Sequence, residues 1–251
     1  RVVSTACASG NAALGVALDL LREGTCDAVL AGGVDVLHAF VIAGIAALRA
    51  HAPEPCQPFD RRRSGLNLGE GAAFLLLETP AHANRRGARV LGTLCGSGLA
   101  CDASHMTGPD REGWGAARAM QAALADAELA PEQVDFVSLH GTATVFNDRM
   151  EARAMRHVFG DRTLTVPVNS IKGVLGHTLG PAGVFEAIMA VQVLRTGVIP
   201  ATCGFAQADP DIDLRIVGEG GLAMSVDAIL STSSGFGGCN SAVVLRRAEA
   251  G

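Results

Sequence analysis

The first predicted helix is marked by apolar residues that recur at helical spacing after a segment of small residues. The apolar positions on one face of residues 11–23 are Ala12, Ala13, Val16, Ala17, Leu20 and Leu21. Gly24 follows and predicts the end of the helix. The next apolar run, residues 27–33, ends in two glycines and predicts a short buried strand.

The same alternation of helix and strand patterns continues along the chain. Further helices are predicted at 38–50, 80–87, 114–128, 148–159 and about 178–196. Further strands are predicted at 2–3, 72–78, 89–99, 134–139, 164–168, 226–232 and 241–246. Residues 51–71, with three prolines and an arginine run, and residues 101–113 are predicted to be loops. Alternating strands and helices predict a layered α/β fold.

Composition and charge exclude several classes of function. The 251 residues are 49% hydrophobic and 18% charged, with a formal net charge of −5, which gives no electrostatic support for binding nucleic acid. The seven cysteines show no zinc-binding spacing, and their scattered positions are typical of a reducing compartment. No apolar run has membrane-spanning length and no secretory signal is present. We therefore predict a cytoplasmic protein with no metal, nucleic-acid or membrane partner.

The first residues suggest that the sequence starts inside a longer fold. The chain opens at Arg1 without methionine, and Val2 and Val3 already have the pattern of a strand. We expect the preceding part of the fold to lie outside this sequence or on another chain.

Cys7 is the first candidate for chemistry. It lies in the segment STACASG (4–10), directly before the first predicted helix. The amide groups and positive end of a helix favour a thiolate, which is the nucleophilic form of cysteine. A buried structural cysteine is the alternative, since free cysteines often serve as small core residues.

Four further motifs, together with STACASG, resemble the elongating β-ketoacyl synthases, the thiolase-fold condensing enzymes of fatty acid and polyketide synthesis. The motifs are FDRRRSGLNLGEGA (59–72), HGTATVFND (140–148), NSIKGVLGH (169–177) with GPAG (180–183), and GFGG (235–238). The resemblance extends to about Arg247 and covers the C-terminal portion of such an enzyme. It implies a thiolase-like layered αβαβα fold whose N-terminal part is missing here. Residues 1–79 would complete the first thiolase-like half, and residues 80–251 would form the second half.

The resemblance implies a decarboxylative Claisen condensation. Cys7 would accept an acyl group from a carrier-protein thioester. His140 and His177 match the two family histidines, which would donate hydrogen bonds to the enolate formed when malonyl loses CO2. Either histidine alone would be interpreted as structural, but both occur in motif together with Cys7. The reaction needs no metal or redox cofactor, because 4′-phosphopantetheine arrives on the acyl carrier protein.

Other motif positions have implied supporting roles. Lys172 would support the histidines and pair with Glu151, since a buried ammonium needs a partner; a solvated loop lysine is the alternative. Asp148 and Glu186 also match family positions, and we predict structural roles for them. Thr142 and Thr144 would bind the pantetheine arm, although a threonine after a strand can be only a local cap.

The glycine turn and a second loop are expected to border the acyl pocket. The backbone N–H groups of Phe236 and Cys7 would form the oxyanion hole, and the Phe236 ring would gate the pocket; a core phenylalanine is the alternative. Thr107 matches a position near this gate. Cys239 stands where the family usually has threonine, and Pro181 where it usually has alanine, so the acyl substrate stays open.

Partners are predicted on the same basis. Carrier proteins are acidic, so the docking face should be basic, with Arg49 as the first candidate. The Arg61–Arg63 run is a second candidate for docking. It can equally be a solvated loop or an internal ion-pair site, and an ion pair would suit Arg63 with Asp60. The resemblance also implies a homodimer, or a heterodimer with a chain-length-factor-like homologue.

Three alternatives were weighed against a discrete elongating enzyme. A non-catalytic chain-length-factor-like subunit would typically lack the cysteine nucleophile that Cys7 supplies. A thiolase or an initiating synthase would replace one of the two histidines, whereas His177 is present in its motif. A domain of a multidomain synthase is less favoured, because no linker or following domain is seen.

Overall fold

The structure is a computed structural model that describes residues 1–248. Within these residues the α-helices are α1 (Ser9–Arg22), α2 (Ala39–Ala47), α3 (Pro80–Arg85), α4 (Trp114–Asp126), α5 (Val145–Phe159), α6 (Lys172–Leu175) and α7 (Ala182–Thr196). The strands are β1 (Ala28–Asp35), β2 (Gly71–Glu78), β3 (Thr93–Cys101), β4 (Phe136–Ser138), β5 (Pro167–Asn169), β6 (Val198–Ile199), β7 (Arg215–Ile216), β8 (Leu222–Ala223), β9 (Ala228–Gly235) and β10 (Cys239–Arg246).

The predicted elements recur with shifted ends and four differences, one of which is the short helix α6, which was not predicted. Val2 and Val3 form no strand, because no described strand runs beside them, and Val2 is 95% exposed. Residues 160–164 form a 3₁₀ turn rather than the start of a strand. The short strands β6, β7 and β8 were not predicted, since two-residue strands carry too little periodicity to be recognised.

A six-stranded mixed sheet forms the centre of the fold, with the strand order β3-β10-β9-β4-β5-β7. Strands β3, β10 and β9 pair antiparallel, and β9, β4, β5 and β7 pair parallel. Its central strands are buried on both faces: Phe136 and Val137 of β4 are both 0% exposed. Burial on both faces is typical of a sheet covered by helices on each side.

Helices cover the two faces of this sheet and separate it from a second sheet. Helices α4 and α5 pack on one face, and α1 and α7 on the other. The antiparallel pair β1–β2 packs on the far side of α1 and α7. The described residues thus form four layers, β-α-β-α, of the thiolase-like arrangement. The boundary between the two predicted thiolase-like halves, at residues 79 and 80, stays a prediction. Leu14 and Ala31 of the first half and Val191 of the second belong to one hydrophobic core cluster.

The contact between α1 and α7 requires a glycine. A Cβ on Gly10 would lie 2.8 Å from the carbonyl oxygen of Gly180 and 3.1 Å from Val184. The first turn of α1 therefore lies directly against the segment that leads into α7. This contact brings the residues before α1 next to residues 177–181.

The two faces of the β1–β2 pair differ sharply in exposure. Ala31 is 6% exposed and faces the helices, whereas Leu30 and Leu76, directly opposite each other across the two strands, are 68% and 53% exposed. No helix in residues 1–248 combines the length and the apolarity needed to cross a membrane.

Candidate active site

Cys7 lies in a tight turn immediately before α1. The N–H of Ala8 donates to the carbonyl of Thr5, and the N–H of Ser9 donates to that of Ala6. Ala6 has a φ of 50°, in the left-handed region that costs a residue with a Cβ about 1 kcal/mol. Such strain is typical of functional sites, because the surrounding structure must hold it in place.

The turn opens into a cavity of about 540 Å³ that gathers most of the predicted site residues. The predicted residues that line it are Cys7, Thr107, His140, Thr142, Thr144, His177 and Phe236. Lys172 and Glu151 lie buried behind its wall, and Arg49 lies outside it. The three side chains proposed for catalysis come from distant segments and meet at one apolar-lined space.

Backbone contacts from the 51–71 loop hold His177. The N–H of His177 donates to the carbonyl of Asn67 at 2.7 Å, and the N–H of Gly69 donates to the carbonyl of His177 at 3.0 Å. The N–H of Leu179 donates to His177 Nδ1 at 3.3 Å. An accepting Nδ1 assigns the ring proton to Nε2.

His140 follows β4 and is held in a comparable way. Lys172 Nζ lies 3.3 Å from His140 Nδ1 and donates to the His140 carbonyl at 2.6 Å. Because an ammonium can only donate, Nδ1 of His140 accepts and Nε2 carries the proton. The rings of His140 and His177 meet edge to face with centroids 5.1 Å apart. Both imidazoles are thus assigned as Nε2–H donors.

Lys172 pairs with Glu186, so the predicted pairing with Glu151 is wrong. The Lys172 ammonium forms a short ion pair with Glu186 of α7, and both side chains are almost fully buried. Burial raises the pKa of Glu186, and the Lys172 charge opposes that shift. The sequence placed Glu186 only in a structural role, because its 14-residue separation from Lys172 carries no local signal.

Glu151 instead fixes the backbone of the segment that carries His140. Its two carboxylate oxygens accept the N–H groups of His140 and Gly141, each at 2.7 Å. Burial and the neighbouring Asp148 raise the pKa of Glu151 to about 8, against the effect of these amides. Asp148 accepts the N–H of Phe59 at 2.7 Å, and burial raises its pKa to about 6.

Burial controls the protonation of the three central side chains. It raises the pKa of the Cys7 thiol to about 11, although the Lys172 charge lowers it. The expected stabilisation of a thiolate by the helix start is therefore outweighed, and the resting form is the thiol. Burial, followed by the Lys172 charge, holds the pKa of both His140 and His177 well below the usual range, so both imidazoles are neutral.

The two threonines of the 140–148 motif line the cavity, and the Thr142 hydroxyl also accepts the N–H of Thr144 at 3.4 Å. Thr144 occupies the position before α5 but makes no side-chain capping bond. Its hydroxyl lies 2.9 Å from the hydroxyl of Thr142. The local-cap alternative is therefore not supported for Thr144, and both hydroxyls border the space next to His140.

The glycine turn lies against the cysteine turn. A Cβ on Gly235 would lie 2.7 Å from the Thr5 carbonyl and 2.9 Å from the Cys7 nitrogen, so only glycine fits here. Phe236 is 38% exposed and lines the cavity, which argues against a core role. The N–H of Gly237 donates to the carbonyl of Met106 at 2.7 Å and connects the turn to the 101–113 loop.

The arginines predicted to dock a carrier protein differ in exposure and in ion pairing. Arg49 is exposed, and among residues 1–248 its side chain makes no hydrogen bond or ion pair. Arg63 is buried and pairs with Asp209 at 2.6 Å, not with the Asp60 carboxylate as predicted. Asp60 pairs instead with Arg62 at 2.9 Å. Arg63 is therefore unavailable for docking a partner.

Some cavity residues were missed from the sequence. Asp35 ends β1, lines the cavity and accepts the N–H of Gly180 at 2.8 Å. Its position directly after a buried strand was the available signal. Apolar residues of α2 and the following loop, including Ile45 and Leu66, form the opposite wall. Residues 1–248 contain no cluster of three potential ligands for a metal ion.

Comparison with known proteins agrees with this geometry. The family description "Beta-ketoacyl synthase, N-terminal domain" matches residues 1–83, and "Beta-ketoacyl synthase, C-terminal domain" matches residues 91–206. The chain belongs to the β-ketoacyl synthase family.

A 3-oxoacyl-[acyl-carrier-protein] synthase 2 from Coxiella burnetii is 38% identical over 98% of this chain and 61% of that protein. The solved ishigamide ketosynthase/chain length factor superposes with a TM-score of 0.95 at 37% identity, covering 99% of this chain and 60% of that one. The solved structure of a type II polyketide acyl-carrier protein in complex with its ketosynthase superposes with a TM-score of 0.95 at 33% identity. The match covers 98% of this chain and 62% of that one. The chain thus spans about three fifths of the length of these relatives.

Proposed function

We propose that this chain carries the nucleophile and both histidines of a β-ketoacyl-[acyl-carrier-protein] synthase, an acyltransferase that performs decarboxylative Claisen condensation. The observation that carries the proposal is the convergence of Cys7, His140 and His177 on one cavity. These residues come from three motifs more than 30 residues apart in sequence. A nucleophile facing two neutral hydrogen-bond donors fits acyl transfer followed by enolate chemistry.

The first half-reaction transfers the acyl group. The Cys7 sulfur attacks the acyl carbonyl of a carrier-bound thioester, and the carbon–sulfur bond to the pantetheine breaks. The proton of the Cys7 thiol ends on the released pantetheine thiol. The N–H groups of Cys7 and Phe236 are proposed to bind the oxyanion; the contact of Gly235 with the Cys7 nitrogen supports this arrangement.

The second half-reaction forms the carbon–carbon bond. Malonyl on a second carrier protein loses CO2, and the electron pair of the broken bond gives an enolate. The Nε2–H groups of His140 and His177 donate to its oxygen, and burial keeps both rings neutral donors. The enolate carbon attacks the acyl-Cys7 carbonyl and displaces the Cys7 sulfur, which is reprotonated. The product is a β-ketoacyl carrier protein.

Lys172 is proposed as the residue that orients His140. Its ammonium reaches both Nδ1 and the carbonyl of that histidine while Glu186 balances its charge. Glu151 positions the backbone of the same segment. Thr142, Thr144 and Thr107 are proposed to contact the pantetheine arm, because their side chains line the cavity that the arm must enter.

Partners and compartment complete the proposal. The acyl carrier protein is proposed to dock near Arg49, supported by the exposed position of this side chain and by the solved carrier–ketosynthase complex among similar structures. A homodimer or a heterodimer with a chain-length-factor-like homologue is proposed from the ishigamide complex. Seven free cysteines support a reducing cytoplasm.

The test uses the intact polypeptide with acyl- and malonyl-carrier protein. We expect Cys7→Ala to abolish acyl labelling and condensation. His140→Ala and His177→Ala should keep acyl labelling but lower malonyl decarboxylation by about 10²–10⁴-fold. His157→Ala, which changes a histidine stacked on Trp114 outside the cavity, is the control with unchanged rates. Wild-type protein that takes no label on Cys7 would favour the non-catalytic partner-subunit alternative.

A further inference from the structure

Two cysteines outside the catalytic set face each other across neighbouring strands. Cys101 ends β3 and Cys239 begins β10, and the two are direct register partners in an antiparallel pair. Register partners project from the same face of a sheet. Both are free thiols, Cys101 exposed and Cys239 half-buried.

The hydrogen bonding around this pair identifies its type. The N–H of Asp102 donates to the carbonyl of Gly238 at 2.8 Å, which places residues 102 and 238 at a hydrogen-bonded position next to this pair. Cys101 and Cys239 therefore form a non-hydrogen-bonded pair, for which the Cα atoms lie about 4.5 Å apart. Disulfides span Cα separations from about 4.4 Å to 6.8 Å. The backbone thus already holds the two cysteines at a bridging distance.

The pair lies where two cavity-lining segments begin and end. Cys239 directly follows the Gly235–Gly238 turn that carries Phe236, and Cys101 directly precedes the 101–113 loop that carries Thr107. The Cys101 thiol already contacts the Gly237 carbonyl, with sulfur and oxygen 3.6 Å apart. Gly237 and Gly238 have positive φ angles, and the turn contacts the neighbouring segment through the Met106 carbonyl and the N–H of Asp102.

We propose that Cys101 and Cys239 form a reversible disulfide that fixes the glycine turn to the 101–113 loop and thereby restrains Phe236. The oxidant class is a small-molecule disulfide such as oxidised glutathione. The exposed Cys101 sulfur attacks it and releases one glutathione thiol; Cys239 then displaces the second glutathione. Two electrons pass from the cysteines to the glutathione disulfide, and the two thiol protons end on the two glutathiones.

The structure distinguishes this pair from the other cysteines. Cys7 lies at the cavity floor, and Cys56 is buried with its sulfur donating to the Lys172 carbonyl at 3.2 Å. Cys203 is exposed but has no cysteine register partner among the described strands. Exposed disulfides tend to be the readily reduced ones, which suits a reversible modification in a reducing compartment.

The first experiment maps the bond. The intact polypeptide is treated with oxidised glutathione, digested without reduction and analysed by mass spectrometry. We expect a cross-linked peptide joining Cys101 to Cys239 that disappears with dithiothreitol and is absent from Cys101→Ser and Cys239→Ser. It should persist in the control Cys203→Ser and in Cys7→Ala. Glutathione adducts on Cys101 without the cross-link, or no modification at all, would overturn the proposal.

The second experiment measures the consequence, which rests on the proposed condensation. Oxidation should lower the wild-type condensation rate about tenfold, because the gate residue can no longer move freely. Dithiothreitol should restore the rate, and Cys239→Thr should be insensitive to oxidation. A mapped disulfide without any rate change would overturn the restraint. Failure of the condensation assay in reduced protein would refute the proposed function instead, since the mapping in Cys7→Ala needs no activity.

Discussion

The two walls of the cavity are built on opposite physical principles. Behind the wall from the six-stranded sheet lie buried ionisable side chains: Lys172, Glu186 and Glu151 are each at most 2% exposed. The opposite wall, formed by Phe40, Val41 and Ile45 of α2 together with Leu66, is apolar, and Phe40 is 81% exposed although it also lines the cavity. Cys7 lies between the two walls.

The contrast shows that the two walls around Cys7 have different roles. Burying ionisable groups costs desolvation free energy, and here the buried Lys172 and Glu151 hold His140 in place. The apolar wall offers only volume and low dielectric, which suits an acyl chain and raises the pKa of Cys7. The open outer surface of β1–β2 is an apolar sheet face that natural proteins normally cover.

The largest expected effect breaks the charged wall. Lys172→Met leaves the buried Glu186 side chain without its cationic partner, and we expect a loss of about 3–5 kcal/mol in the free energy of unfolding, measured in urea. The double variant Lys172→Met/Glu186→Gln should recover part of that loss. The control is Arg22→Met, which removes a half-exposed ion pair with Asp126 and should cost less than about 1 kcal/mol. Equal losses from both lysine variants would show that the buried pair is not coupled.

The next effect concerns the thiol between the walls. Because the pKa of Cys7 is raised from 9.0 to about 11, the thiol is protonated at neutral pH and only a small fraction is reactive thiolate. We expect its alkylation by iodoacetamide to rise about tenfold per pH unit from pH 7 to pH 9, without levelling off. The urea-unfolded chain should level off near its ordinary value. A plateau below pH 8 in the folded protein would mean that the helix start outweighs burial.

A smaller effect tests Glu151, the second acidic side chain buried behind this wall. Glu151→Gln keeps the shape but replaces one accepting oxygen by an NH2 group, which must face the N–H of His140 or Gly141. We expect a loss of about 1–3 kcal/mol in unfolding free energy, because a buried donor is left without an acceptor. Arg153→Gln, an exposed position on the same helix, is the control. An unchanged stability would mean that these amide bonds are dispensable.

The smallest expected effect concerns the two faces of the β1–β2 pair. Leu75 and Leu76 are neighbours in β2 that face opposite sides of the sheet, so one packs against the helices and the other is 53% exposed. Leu75→Ala should cost about 2 kcal/mol and Leu76→Ala less than about 0.5 kcal/mol.

The same pair also tests association. Leu76→Ser should reduce self-association of this chain in analytical ultracentrifugation, because it removes apolar surface from the open face. Leu75→Ser should instead lower stability without reducing association. The opposite ranking in either measurement would contradict the assignment of the two faces.

The local pattern of apolar residues was sufficient to predict much of the secondary structure. The 3.6-residue apolar repeat located α1 and α4, and the bounded apolar runs located β1 and β2 within a few residues. The helices among these elements are set by contacts between residues close in the chain, whereas β1 and β2 pair with each other over a long separation. The motif residues Cys7, His140 and His177 were recognisable because each lies in a distinctive short segment after a strand or before a helix.

Long-range packing decided what the sequence left open. The partner of Lys172 is Glu186 rather than Glu151, and Arg63 pairs with Asp209 rather than Asp60, because both choices depend on which helix and loop meet in space. The protonation of Cys7 and the alignment of Cys101 with Cys239 follow from burial and strand register. Sequence chooses the chemical groups; distance and dielectric, which exist only in the folded chain, determine their partners and charges.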